Sequence, residues 1–104
     1  MMSNLFKNLF HNKKTDFASL VREGAVIVDV RTAPEYQGGH IRGSRNIPLD
    51  TLTSRLSELK KLNKPVITVC RSGARSAMAK SKLASAGLTV YNGGAWTALE
   101  SRIK

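Results

Sequence analysis

Two predominantly apolar runs, Ala25–Val30 and Pro65–Cys70, interrupted only by Asp29 and Thr68, set the tightest limit on what this chain can fold into. Each is bounded by turn-forming residues and lacks the alternation of a strand with one wet face. Each therefore reads as a strand buried on both sides of a parallel sheet. Parallel neighbours need crossover connections, and helix-forming stretches separate the strands along the chain. A helix is predicted from an N-cap at Thr15 or Asp16 to Glu23, with Phe17, Leu20 and Val21 on one face and Gly24 ending it. Thr32–Ser44, rich in glycine and polar residues, reads as a long connection, and Arg45–Leu49 as a short strand stopped at Pro48. Asp50 is placed as the cap of a helix over Thr51–Leu62, where Leu52, Leu56 and Leu59 recur at helical spacing before Asn63-Lys64-Pro65 breaks the run. The stretch after Cys70 suits a helix running to Gly87, Leu88–Tyr91 a strand, Gly93-Gly94 a turn and Ala95–Ile103 a terminal helix. The alternation defines an α/β domain of three layers, α/β/α, with a small central parallel sheet of four to five strands.

A chain of 104 residues holds one ordinary domain, read here as 15–104, preceded by a short basic extension over 1–14. Leu5, Phe6, Leu9 and Phe10 share a helical face in that extension, which bears no assigned function. A hydrophobic fraction of 41% with 23% charged residues excludes disordered and fibrous classes. No apolar run approaches the roughly 18 residues of a membrane span, and no secretory signal is visible, so the expected compartment is the cytoplasm. The net charge of +10 attracts anions without identifying them. Lysines and arginines are scattered without interleaved aromatics, so nucleic acid is not the expected partner.

In open sheets of this kind ligands sit beyond the carboxyl ends of the strands, where Asp29–Arg31, Cys70–Arg75 and Asn92–Gly94 all fall. Cys70 is the sole cysteine, so no intrachain disulfide forms; His11 and His40 stand apart, and neither a metal site nor a cofactor is expected. It is followed at once by Arg71-Ser72-Gly73-Ala74-Arg75-Ser76, between a buried strand and the start of a helix. A tight turn there aims successive main-chain N–H groups at one point, and Gly73 permits the positive φ such a nest needs. A free thiol with pKa near 8.5 needs to fall by about two units to be a working nucleophile at pH 7, a change worth roughly 2.7 kcal/mol. A helix terminus supplies about 0.3–1 kcal/mol, so hydrogen bonds from the loop amides must supply much of the rest. An isolated cysteine ending a core strand is more often an inert small hydrophobe. The glycine loop, the two arginines and the helix start weigh against that reading here.

At these residues the chain resembles the rhodanese family, through C-R-S-G-A-R-S at Cys70–Ser76 and D-V-R-T-A-P-E-Y-Q-G-G-H-I-R-G-S-R-N-I-P-L at Asp29–Leu49. The resemblance spans about Asp16 to Gly94. It implies a sulfurtransferase in which Cys70 takes a sulfane sulfur from thiosulfate or another persulfidic donor. It implies further that the persulfide passes that sulfur to cyanide or to a thiol, a protein thiol included. The resemblance casts the amides of Arg71, Ser72, Gly73, Ala74 and Arg75 as the anion cradle and Arg71 as a contact for the anionic donor. It casts Arg75 as a loop-closing residue paired with Glu35 or with loop carbonyls. Asp29, Arg31 and His40 are implied to be structural. Arg42 and Ser44 depart from the family's commonest residues, and Trp96 lies closer to Gly94 than is usual, so Trp96 is read as core or rim packing. The loop also differs from the mercaptopyruvate type.

Two other readings stay open at this level. A cysteine phosphatase or arsenate reductase of the same fold needs five residues between cysteine and arginine, and here only four intervene. A non-enzymatic module binding protein or nucleic acid through its basic surface leaves the cysteine loop unexplained.

Overall fold

The computed structural model describes residues 15–104, so the amphipathic reading of the first fourteen lies outside the described residues. Asp16 opens the first helix, α1 (Phe17–Arg22), by accepting the Ser19 amide at 3.1 Å and its hydroxyl at 2.8 Å. Gly24, at φ +105°, turns the chain into β1 (Val26–Asp29). Then follow α2 (Ala33–Gln37), β2 (Arg45–Asn46), α3 (Leu56–Leu62), β3 (Val66–Cys70), α4 (Ala74–Ser85), β4 (Val90–Ala95) and α5 (Trp96–Ile103).

The described strands form one parallel sheet in the order β2-β1-β3-β4. Its central strand β3 is buried at every residue, as a predominantly apolar run requires. Successive side chains alternate between the two faces. Val28, Val66 and Cys70 meet Leu59 of α3 and Ala79 and Leu83 of α4 on one side. Ile27, Ile67 and Val69 meet Phe17 of α1 and Leu99 of α5 on the other. The result is the expected three-layer α/β/α arrangement.

Three local expectations need correction. The connection after β1 contains α2, because Thr32 and Glu35 form a capping box: the Thr32 hydroxyl accepts the Glu35 amide and the Glu35 carboxylate accepts the Thr32 amide at 2.9 Å. Asp50 does not cap a helix. It lies within a 3₁₀ turn, Leu49–Thr51, followed by another at Thr53–Arg55, and α3 begins only at Leu56. The hydroxyls of Thr51 and Ser54 donate back to the carbonyls of Pro48 and Thr51, at 3.0 and 2.8 Å, which favours the tighter turns. Finally, Gly93-Gly94 is no turn but the end of β4. The register moves from Thr68 opposite Asn92 to Val69 opposite Gly94, leaving Gly93 as the extra residue of a bulge.

Candidate active site

β3 ends on Cys70, and the chain bends through exposed Arg71 and Ser72 to Gly73, the N-cap of α4. Gly73 sits at φ +111°, a conformation only glycine takes readily. The bend folds the next amides back on the sulfur: Gly73 N–H donates to Cys70 Sγ at 2.9 Å and Ser76 N–H at 3.3 Å. The Ser76 hydroxyl oxygen lies 3.5 Å away and accepts from the thiol. Cys70 is buried, 1% exposed. Burial pushes the thiol up, but the Ser76 hydroxyl, the Ser76 and Gly73 amides and the Ser72 amide outweigh it and bring the group below its ordinary value. The Gly73 and Ser76 amides thus bond the sulfur directly, while among the described residues no hydrogen bond to it runs from the amides of Arg71, Ala74 or Arg75.

Arg75 pairs bidentately with Glu35, at 2.8 and 2.9 Å. Arg75, followed by Thr32, holds the Glu35 carboxyl far below the usual carboxylate range, and Arg75 is raised in return. Since Glu35 also closes the capping box of α2, one side chain ties the β1–α2 turn to the cysteine loop. Arg75 keeps a weaker electrostatic contact with Cys70 and borders a groove floored by Val30, Leu49 and exposed Met78. Arg71 is exposed and has no ion pair among the described residues.

Asp29 and Arg31 form a buried pair below this rim. Arg31 Nε and Nη2 reach the Asp29 carboxylate at 2.7 to 3.1 Å, and the same guanidinium donates to the carbonyls of Glu35 and Gly39. Trp96 lies against that guanidinium, 4.8 Å from carbon to ring centroid, and over Gly39. His40 stands apart from the sulfur machinery: exposed, it stacks on Tyr36 and its Nδ1 meets the Tyr36 carbonyl at 2.8 Å.

Two residues of the site were not singled out from the sequence, Ser76 for its side chain and Asn92. Both carry a signal: a hydroxyl directly after the loop arginine, and a lone amide in an apolar strand just before two glycines. Among the described residues no three His, Cys, Asp or Glu side chains gather as metal ligands.

A buried thiol held by main-chain donors at the carboxyl edge of a parallel sheet, at the start of a helix, defines an α/β domain built around one cradled sulfur. The chain belongs to the rhodanese-like domain family, whose model matches residues 11–98. It is 44% identical over 69 residues to the uncharacterized protein YqhL of Bacillus subtilis, covering 65% of this chain and 54% of that one. The chain thus spans about half the length of that relative. It is 37% identical over 84 residues to the thiosulfate sulfurtransferase GlpE of Pseudoalteromonas translucida, covering 79% of each. A solved structure from Rhodopseudomonas palustris, a protein of unknown function described as a possible tyrosine phosphatase, superposes with TM-score 0.70 at 25% identity over 83% of this chain and 75% of that one.

Proposed function

We propose that this protein is a sulfurtransferase that carries a sulfane sulfur on Cys70. The observation that carries the reading is the convergence of the Gly73 and Ser76 amides on Sγ, at 2.9 and 3.3 Å. Donors already aimed at a sulfur need no reorganisation when that sulfur becomes an anion. The Cys70 thiolate attacks the outer sulfur of thiosulfate, the donor's S–S bond breaks, and sulfite leaves with the bonding pair. Cyanide or a thiolate then takes the outer sulfur of the persulfide, and the Cys70 thiolate is the leaving group. The sole cysteine provides no resolving thiol within the chain, so discharge needs an external acceptor and the two half-reactions alternate. Exposed Arg71 is assigned to the anionic donor.

The orientation of Arg75 favours this reading over phosphate-ester chemistry. Its guanidinium is engaged bidentately by Glu35, and the loop is one residue shorter than an oxyanion ring requires. No helix of the described residues is long and apolar enough to cross a membrane. The test is intact-mass measurement after incubation with thiosulfate. One added sulfur is expected on the wild type and none on Cys70→Ala, with ping-pong kinetics when cyanide is supplied. Sequential kinetics, or release of phosphate from an aryl phosphate without sulfur transfer, would reject the proposal.

A further inference from the structure

The Ser76 hydroxyl has one proton and three acceptors within reach. Its Oγ lies 2.7 Å from Asn92 Oδ1, 3.0 Å from the Gly73 carbonyl and 3.5 Å from Cys70 Sγ. Asn92 Oδ1 also accepts the Gly94 amide at 2.9 Å, which fixes that atom as the oxygen of the carboxamide. Ser76 is fully buried, and its carbonyl is pinned by the Thr68 hydroxyl at 2.9 Å, so its side chain answers to these partners and not to water. With the thiol protonated, the arrangement is a chain: S–H donates to Ser76 Oγ, and the Ser76 O–H donates to Asn92 Oδ1, its nearer oxygen acceptor at 2.7 Å against 3.0 Å for the Gly73 carbonyl. An ionised sulfur has no proton to give, and a serine lone pair facing it would be repulsive. The hydroxyl must then rotate to donate to sulfur and release Asn92.

We propose that Asn92 and Ser76 form a proton-position switch behind the nucleophile. Asn92 holds the serine hydroxyl while Cys70 is a thiol and yields it when the sulfur carries charge. Ser76 stabilises the anion by direct contact. Asn92 is a positioning residue acting only through Ser76, and it restrains the acidity of the thiol by competing for the same proton. Asn92 faces the switch because it pairs in register with Thr68, on the same face of the sheet as Cys70, and just past it the bulge at Gly93 leaves the Gly94 amide bonded to Asn92 Oδ1. The charged groups around the sulfur are Arg71 and Arg75 on the loop and first turn of α4, Glu35 bound to Arg75, and the Asp29–Arg31 pair at the end of β1. None of them belongs to the switch, and all stay in place in the variants below.

This inference rests on Cys70 being the working nucleophile, but its test does not require sulfur transfer. The rate of Cys70 alkylation by iodoacetamide is followed against pH in folded protein, with circular dichroism as the check on folding. Ser76→Ala removes the donor to the anion and lowers the rate below the pKa by about tenfold, shifting the profile to higher pH. Asn92→Ala leaves only the Gly73 carbonyl to compete with sulfur for the hydroxyl and shifts the profile the opposite way, with a rate about three- to fivefold faster on the acidic limb. In Ser76→Ala/Asn92→Ala the effect of Asn92 vanishes and the profile matches Ser76→Ala alone. If Asn92→Ala does not fold, Asn92→Leu fills the space without an acceptor. An Asn92 variant that moves the profile upward, or one whose effect persists without Ser76, overturns the switch. A wild type that alkylates at Cys70 but never gains sulfur overturns the sulfurtransferase reading and leaves the switch standing.

Discussion

Replacing Gly93 by alanine adds one methyl group at the most crowded point of the sheet. A Cβ there would lie 2.9 Å from Ile67 Cγ2, 2.9 Å from Val69 Cγ1 and 3.0 Å from the Thr68 carbonyl oxygen. Ile67 and Val69 are fully buried and β-branched, with few rotamers to retreat into, and the Thr68 carbonyl belongs to the central strand. Overpacking typically costs about 1–3 kcal/mol, and with two side chains and one carbonyl forced to move together we expect about 2–3 kcal/mol. In a domain of this size that corresponds to a melting temperature lower by about 10–20 °C. Urea denaturation followed by circular dichroism measures the loss. Gly87→Ala is the control: nothing lies within 4 Å of its Cβ, but φ is +96°, so about 1–2 kcal/mol is lost with sulfur chemistry untouched. Because Gly93 is the bulge residue, Gly93→Ala is also expected to loosen Asn92 from Ser76 and alter alkylation of Cys70. A Gly93→Ala protein within about 0.5 kcal/mol of wild type would refute the steric argument.

Gly73→Ala meets no clash, its nearest neighbour being Gly94 Cα at 3.9 Å, yet φ +111° strains any side chain by about 1–3 kcal/mol. The Gly73 amide is expected to leave the sulfur, so alkylation should shift to higher pH; an unchanged pH profile counts against the cradle. Arg31→Met strands the buried Asp29 carboxylate and is expected to cost about 3–5 kcal/mol by chemical denaturation; less than 1 would show the pair to be dispensable. Glu35→Gln keeps the capping box but removes the charge that meets Arg75. Because the folded-state pKa of Glu35 is depressed, its contribution is present above the unfolded value of about 4.3 and is lost as pH falls from there through the folded value. The melting gap between wild type and variant should therefore be widest near neutrality and close below about pH 4. A gap constant with pH would rule out the charge as its source.

Local rules carried the reading furthest where structure is locally decided. Asp16 caps α1, Gly24 and Gly87 take positive φ just past their helices, and the two apolar runs are the central strands. The same rules failed where a signal was present but outweighed by composition. Thr32-Ala33-Pro34-Glu35 is a capping box inside a stretch whose glycines read as loop. Gly93-Gly94 looks like a turn on its own, and only the structure explains the two glycines inside a strand, Gly93 by the tight approach of Ile67 and Val69 and Gly94 by its φ of +76°.

From the chain alone came the α/β alternation, the lone cysteine at the end of a buried strand and the glycine that lets the next amides turn back. Each depends on neighbours a few residues apart, and periodicity and backbone sterics decide such matters without distant contacts. Only the tertiary structure decided the strand order, which amides meet the sulfur and the meeting of Ser76 with Asn92, sixteen residues away on the strand beside β3. Those depend on pairing register: Asn92 lies opposite Thr68, on the face of the sheet that carries Cys70, and a slip of one residue would turn it to the other face while leaving the local pattern unaltered.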